Sequence, residues 1–125
     1  MKIVKGRARD ATSERRSATF TGEVWADPVS AADGVNVLSV LFLPSSRTHW
    51  HAHERGQVLH VTAGRGLVCR DGEAPQEIGV GDTVWVPPGE RHWHGASSSG
   101  YLVHLAVSLG ETEWLGPVSD QDHAG

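Results

Sequence analysis

The chain has one cysteine, Cys69, no long apolar run and no excess of basic residues. A single cysteine excludes an intrachain disulfide, and nothing in the sequence argues for secretion. No apolar run approaches the roughly 18 residues of a membrane-spanning helix, and the first residues lack the apolar core of a signal peptide. The formal net charge is −4, which offers no basic surface to nucleic acid. We therefore expect a cytoplasmic protein that binds neither membranes nor nucleic acids.

A sustained helical period is also missing, whereas glycine is abundant, with 15 residues. Strand-like segments recur about every 8–12 residues, with turn signals such as Asp71-Gly72 between them. This spacing predicts an all-β sandwich or barrel. The predicted strands are 19–26, 35–43, 47–54, 57–63, 66–70, 76–78, 83–86, 91–95 and 101–108.

The length of 125 residues suits one domain. The strand-like segments place that domain at residues 18–110. Residues 1–17 are polar and without a clear period, which predicts an arm that is flexible or docked on a second copy. Residues 111–125 are polar and loosely patterned, and we interpret them as a C-terminal tail.

Histidine is the most informative residue type, and three of the eight fall in the stretch THWHAHERGQ. Side chains in a strand point to alternate faces, so His49, His51 and His53 would share one face. Two imidazoles at this spacing can converge on one ion. The third reaches it only if the strand curves.

The alternation repeats on a second strand, where ERHWHGA carries His92 and His94. His104, in YLVHLAV, adds a candidate on a third strand. Two such pairs in a small β protein favour a metal site over a structural cluster, because neutral imidazole is the commonest metal ligand. His60 and His123 stand alone, and we interpret them as packed or solvent-facing residues.

The stretch from Ser45 to Gly64 resembles the first cupin motif, G-x5-H-x-H-x3-E-x6-G. His51 and His53 occupy its histidine positions. Ser45 replaces the opening glycine, and Gln57 replaces the usual glutamate.

The second cupin motif, G-x5-P-x-G-x2-H-x3-N, is matched by Gly81, Pro87, Gly89 and His92, while Ala96 replaces its asparagine. The resemblance covers about residues 35–108. It implies a double-stranded β-helix, that is, a jelly-roll barrel, holding one metal ion inside. It also implies a homodimer or higher homo-oligomer, because the N-terminal strands of cupins often cross to a partner.

Two longer stretches, RTHWHAHERGQVLHVTAGRG and GDTVWVPPGERHWHGA, are similar to those of small bacterial cupins related to manganese-dependent hydroxynitrile lyases. In that group the counterparts of His94 and His104 line the pocket and assist proton transfer. Ser108 departs from the group's lyases, which carry glutamine there, and Leu38 is bulkier than the alanine of one such lyase. The resemblance implies that the metal ligands are His51, His53, Gln57 and His92.

Gln57 gives this ligand set its chemical character. A carboxamide oxygen in place of a carboxylate leaves the full charge of a divalent ion on the site, which polarises a bound oxygen or anion more strongly. The resemblance implies manganese; iron, zinc, nickel and cobalt are also compatible with nitrogen and oxygen ligands. Thr48, expected at the pocket mouth, would hydrogen-bond a substrate hydroxyl.

The predicted function is that of a metal-dependent enzyme acting on a small molecule, with a lyase reaction favoured. The metal would act as a Lewis acid, and His94 and His104 as general acid and base. With iron bound, the site would instead activate O2, as a dioxygenase or oxidase does. A third alternative is a non-catalytic binding or sensor module whose metal braces the barrel.

The remaining conspicuous residues have structural interpretations. The tryptophans in strands, such as Trp25, Trp50, Trp85 and Trp93, are expected in the core or at a dimer contact. Cys69 is expected to be a small buried apolar residue. Alternation assigns the wall of the pocket to Leu38, Val40, Phe42, Leu59, Leu102 and Ala106.

Overall fold

The computed structural model describes residues 1–125 as twelve strands and one short helix, which confirms the all-β prediction. The helix has five residues, and no helix of the structure is long and apolar enough to cross a membrane. The elements are β1 Glu14–Arg16, β2 Phe20–Thr21, β3 Val24–Ala32, β4 Val35–Phe42, β5 Arg47–Thr48, β6 His51–His53, β7 Gln57–Arg70, β8 Gln76–Gly79, β9 Thr83–Val86, β10 His92–Ala96, β11 Leu102–Leu109, β12 Thr112–Trp114 and α1 Asp120–Ala124.

The longest strand, β7, joins the two halves of the fold. Its first half pairs with β11 and β9, and its second half pairs with β10 and β8. The order across the sheet is β1-β3-β4-β11-β7-β10-β5-β2, with every pairing antiparallel. Because β7 takes part in both halves, the sheet curls into a nearly closed jelly-roll barrel.

Apolar side chains fill part of the barrel interior. Phe42 and Leu102, which lie opposite each other on β4 and β11, are completely buried. The side chains that alternation assigned to the pocket wall lie inside, except that Leu38 is only half-buried and packs against the core. The core cluster consists of Val24, Ala26, Val40, Phe42, Val61, Ile78, Ala96 and Leu102.

The strand expected at 47–54 is interrupted, so this prediction is wrong in detail. The backbone N–H groups of His49 and Trp50 donate to Thr19 and Gly116, both at 2.9 Å, instead of joining a ladder. β5 therefore pairs with β2 and with Gly95 of β10, whereas β6 pairs with β12 and β10. A Cβ atom at Gly95 would lie against the β5 backbone, so this close approach requires glycine.

Both chain ends contact the barrel of their own chain. In the region predicted to be an arm, β1 pairs with β3, and Arg7 forms a 3.0 Å ion pair with Asp27. In the region predicted to be a tail, β12 pairs with β6. The helix α1 is anchored by His123, whose Nε2 lies 2.8 Å from the carbonyl oxygen of Ala96.

Arg47 also anchors the C-terminal segment, and its replacement by methionine should destabilise the fold. Its guanidinium is 4% exposed and donates to the Ser45 carbonyl at 3.0 Å, the Val118 carbonyl at 2.7 Å and the Asp120 carboxylate at 2.8 Å. Arg47→Met removes all three bonds. We expect the free energy of unfolding in urea to fall by about 1–3 kcal/mol.

The matched control is Arg65→Met on the exposed side of β7, where the side chain makes no ion pair. It should change the free energy of unfolding by less than about 0.5 kcal/mol. Equal losses in the two variants would contradict an anchoring role for Arg47.

Candidate metal centre

Three histidines from two neighbouring strands meet inside the barrel. His51 and His53 are alternate residues of β6, so both side chains point inward, and His92 on β10 lies directly opposite His51. All three are at most 3% exposed. One ring nitrogen from each lies within 4.8 Å of the others. The predicted convergence of these three residues is therefore present in the structure.

The outward nitrogen of each ring has a hydrogen-bond partner. Nδ1 of His51 lies 2.9 Å from the carbonyl oxygen of His49, and Nδ1 of His92 lies 2.9 Å from that of Glu90. A carbonyl oxygen only accepts, so both Nδ1 atoms carry the proton, and in the neutral ring Nε2 keeps its lone pair. Nδ1 of His53 contacts the hydroxyl of Thr112 at 3.0 Å. Partners of this kind orient metal-binding histidines in other proteins.

Gln57, at the start of β7, adds an oxygen to this group. The residue is 3% exposed, and its Oε1 lies 3.0 Å from Nε2 of His92. Because the proton of His92 is on Nδ1, two acceptor atoms face each other at that distance. In this orientation of the amide, such a pair is stable only with a cation nearby or with a second proton on the ring. Without either, a turned amide would donate its NH2 group to His92. Burial opposes that second proton because it lowers the pKa of His92.

A second pair of histidines lies beside the first group. Nδ1 of His94 and Nε2 of His104 are 2.9 Å apart, so one donates to the other. The ring of His94 stacks at 5.6 Å on that of His92, and Phe42 of the apolar core lies against both members of the pair. The pair therefore connects the three-histidine group to the core.

Thr48 lies within the barrel, not at its mouth, because it is only 1% exposed. Its Oγ1 accepts the backbone N–H of His94 at 3.2 Å. The Thr48 hydroxyl proton is then free to donate elsewhere. The structure thus brings all seven residues selected from the sequence into one interior region.

Burial keeps these imidazoles neutral. It is the largest cause of a lowered pKa at all five histidines, and it brings the pKa of His53 and of His104 to about 4. Neighbouring imidazoles lower the values further: His92 acts on His51 and His53, and His104 acts on His94. Neutral rings are the form that binds a metal ion or accepts a proton.

The residues present fit a divalent cation. Nε2 of His53 and Nε2 of His94 are buried without any hydrogen-bond partner, which is costly unless a ligand occupies the space between the rings. A group of three histidines could hold the ion, and the oxygen of Gln57 lies next to it. Nitrogen and oxygen donors of this kind suit manganese, iron, cobalt, nickel and zinc alike.

The sequence interpretation missed several groups that support the site. Thr112 and Trp114 belong to β12, in the region interpreted as a tail; the hydroxyl of Thr112 contacts His53, and the Trp114 ring lies 4.7 Å from that of His51. His49 was expected to point with His51 and His53. Instead it lies in the break between β5 and β6, and its carbonyl oxygen, not its ring, serves the site.

Two pockets reach the histidines from outside. One, of about 300 Å³, reaches His92. Its lining includes the valines Val68, Val84 and Val86 and the charged residues Arg70, Glu73 and Glu90. These valines lie opposite His94, Leu59 and Gln57, respectively, so they share the inner face of the barrel. The other, of about 310 Å³, reaches His53 and is lined by the acidic residues Glu54, Glu111 and Glu113.

Comparison with known families gives the fold its name. Residues 38–108, more than half of the chain, match the family described as the cupin domain. The chain is a cupin. The strands β6 and β10, which carry His51, His53 and His92, belong to the two motifs noted in the sequence.

This cupin is 42% identical to an (R)-mandelonitrile lyase from Granulicella tundricola, over 83% of this chain and 85% of the relative. It is 34% identical to a cupin-like protein of Thermotoga maritima whose structure superposes with a TM-score of 0.84, covering 98% and 95% of the two chains. The polyketide cyclase RemF of Streptomyces resistomycificus has the same fold, with a TM-score of 0.75, 21% identity and coverage of 98% and 90%.

The buried histidines make the metal-free cupin sensitive to acid. The unfolded chain titrates with ordinary histidine pKa values near 6.5, whereas in the fold His53 and His104 titrate at about 4. Between these values the unfolded chain binds protons that the folded chain does not. The free energy of unfolding therefore falls as the pH falls from about 6.5 towards 4.

Thermal melts of the metal-free protein at about pH 7.5 and pH 5 measure this effect, and the melting temperature should be lower at pH 5. His60→Asn should keep the same acid sensitivity, because His60 is exposed. Identical melting temperatures at the two pH values would contradict burial of the five histidines in the neutral form.

Proposed function

We propose that this cupin is a metal-dependent lyase that cleaves cyanohydrins or closely related small hydroxylated molecules. The observation that carries the proposal is the position of the bonded His94–His104 pair beside three histidines, each of which brings one ring nitrogen within 4.8 Å of the others. The 42% identity to an (R)-mandelonitrile lyase supports the choice of reaction. Cupins with less than 25% identity to this chain support the fold alone.

The proposed ligands are Nε2 of His51, His53 and His92, together with Oε1 of Gln57. A divalent ion held there, which we expect to be manganese, supplies a Lewis acid whose positive charge favours the departure of an anion. All four ligands are neutral, so none of them offsets that charge. Iron, zinc, nickel and cobalt are the alternatives.

His94 is the proposed base. Its Nε2 is buried and has no partner, and its lowered pKa keeps it unprotonated at neutral pH. When His94 takes the hydroxyl proton of a cyanohydrin, the C–O bond becomes a carbonyl and the C–C bond breaks. The electron pair of that bond leaves with cyanide. Return of the proton from His94 gives an aldehyde and hydrogen cyanide, so atoms and charge balance.

His104 and Thr48 assist this proton transfer. Nε2 of His104 lies 2.9 Å from Nδ1 of His94 and can accept a hydrogen bond from the N–H at that position. This bond stabilises the positive charge that His94 acquires when its Nε2 takes up a proton. Thr48 fixes the backbone of His94 through its oxygen, and its hydroxyl proton can be donated to the substrate oxygen. Both side chains are buried, so no water competes with these bonds.

The pocket that reaches His92 is the proposed route for the substrate. Its volume of about 300 Å³ and its lining of valines beside polar and charged residues suit a small molecule that has both an apolar and a polar part. The other pocket is lined by three acidic residues and no Lys or Arg, whereas Glu73 and Glu90 of the first pocket are paired with Arg70 at 3.5 and 3.1 Å. A departing anion therefore meets less repulsion in the first pocket. A compact cyanohydrin, with its polar hydroxyl and nitrile groups, fits this pocket.

Two other functions remain as alternatives, and each predicts a different experimental result. The donor set also suits iron, so the iron-loaded protein would consume O2 in the presence of substrate if it were a dioxygenase or oxidase. A non-catalytic binding or sensor module would bind metal and catalyse no reaction.

The homodimer and the cytoplasmic location stay predictions. Light scattering in solution measures the oligomeric state.

Replacement of His94 or His104 by alanine should lower the cleavage of mandelonitrile by the manganese-loaded protein roughly 100-fold or more, the usual size of a general acid–base contribution. Release of benzaldehyde measures the rate, and elemental analysis measures the metal. Metal content should stay at the wild-type level, since neither residue is among the proposed ligands.

The control is His60→Ala, which removes an exposed imidazole bonded only to Thr83. It should keep the wild-type rate. Loss of metal in His94→Ala would instead make His94 a ligand, and an unchanged rate in both site variants would overturn the acid–base assignment.

A further inference from the structure

Ser108 lies next to the amide of Gln57 because of strand register. The two residues are directly opposite each other on β11 and β7. Side chains of directly opposite residues lie on the same face of a sheet, so both project to the barrel interior. Nε2 of Gln57 donates to Oγ of Ser108 at 3.0 Å.

The two ends of the Gln57 amide are similar in shape and opposite in chemistry. Oε1 can bind a cation, whereas the NH2 group presents only hydrogens. Oε1 faces His92 at 3.0 Å, and the NH2 group faces away from the histidines. The side chain is 3% exposed, so bulk water does not reach the NH2 group in this orientation. Ser108 is the one protein acceptor that it contacts.

We propose that Ser108 is a positioning residue that holds the oxygen of Gln57 towards the three histidines and thereby strengthens metal binding. The inference rests on the metal site of the proposed function. Removal of the serine hydroxyl leaves a buried donor unpaired whenever the oxygen faces the ion. In the turned amide the same loss leaves only a carbonyl oxygen unpaired, which costs less than an unpaired N–H. The turned orientation is therefore favoured in the variant, and metal affinity falls.

A glutamate at position 57 separates this role from general packing. Both ends of a carboxylate are oxygens, so no orientation needs to be selected. The hydroxyl of Ser108 would then donate to the outer oxygen and draw charge away from the metal. Loss of that hydroxyl should therefore leave metal affinity unchanged or slightly improved in a Gln57→Glu background.

The experiment is a double-mutant cycle read by Mn²⁺ titration of the metal-free proteins. Ser108→Ala should weaken binding by about 10- to 100-fold, the usual effect of losing a group that orients a metal ligand. In the Gln57→Glu background the same change should weaken binding by no more than about twofold, the precision to which independent effects add. Ser108→Thr keeps the hydroxyl and should restore most of the affinity.

Electron paramagnetic resonance of bound Mn²⁺ gives a second readout that a packing defect does not change. Its zero-field splitting should differ between wild type and Ser108→Ala and match wild type in Ser108→Thr. The matched control is Ser39→Ala on β4, where the serine is half-buried and its side chain makes no hydrogen bond. It should leave both affinity and spectrum unchanged.

Equal losses of affinity in the glutamine and glutamate backgrounds would overturn the inference and indicate a general effect on the fold. Wild-type affinity in Ser108→Ala would also overturn it, while leaving the proposed metal-dependent lyase intact. A wild-type protein that binds no Mn²⁺ would overturn the inference and the metal-dependent function together.

Discussion

The site depends on the fixed orientation of three imidazole rings. Each ring is held from behind by an acceptor or hydroxyl of the protein: the carbonyl of His49, the carbonyl of Glu90 and the hydroxyl of Thr112. These bonds occupy the Nδ1 atom of each ring. The Nε2 atoms of the three rings are left free to bind one ion between them. A strand of only three residues, β6, suffices because it lies between β10 and β12 and is paired on both edges.

The barrel interior is divided between this polar site and an apolar core. Phe42 lies at the boundary, since it packs in the core cluster and contacts the rings of His94 and His104. Five buried imidazoles lower the stability of the fold at acidic pH because unfolding would let them take up protons. A cation bound to the folded state alone would stabilise it and so offset this cost.

Local patterns in the sequence predicted much of the fold and of the site. Alternation placed His51 and His53 on one face, and the repeated H-x-H pattern placed His92 near them. Spacing of turns predicted an all-β sandwich or barrel, because strands and tight turns are encoded within a few residues, and the resemblance to cupins selected the jelly-roll barrel. The break at His49 was missed because the alternation of histidines, tryptophan and alanine looks continuous. The strand ends where the N–H groups of His49 and Trp50 donate to the carbonyl oxygens of Thr19 and Gly116, which are distant in sequence.

The contributions of Thr112 and Trp114 could not be predicted for the same reason. Thr112 is 59 residues from His53. The strand that carries Thr112 has three residues and no apolar alternation, so nothing local marks it. The bond between His94 and His104 likewise depends on how β10 and β11 face each other across the interior. Only the three-dimensional structure provides that information.

The central claim is that the three converging histidines hold a metal ion. The most direct measurement is elemental analysis of the tag-free protein after exposure to manganese and iron, for wild type, His51→Ala and His60→Ala side by side. Our account predicts one metal ion per chain in wild type and His60→Ala, and its loss in His51→Ala. A wild-type protein that stays free of metal, or a His51→Ala variant that retains the full amount, would contradict it.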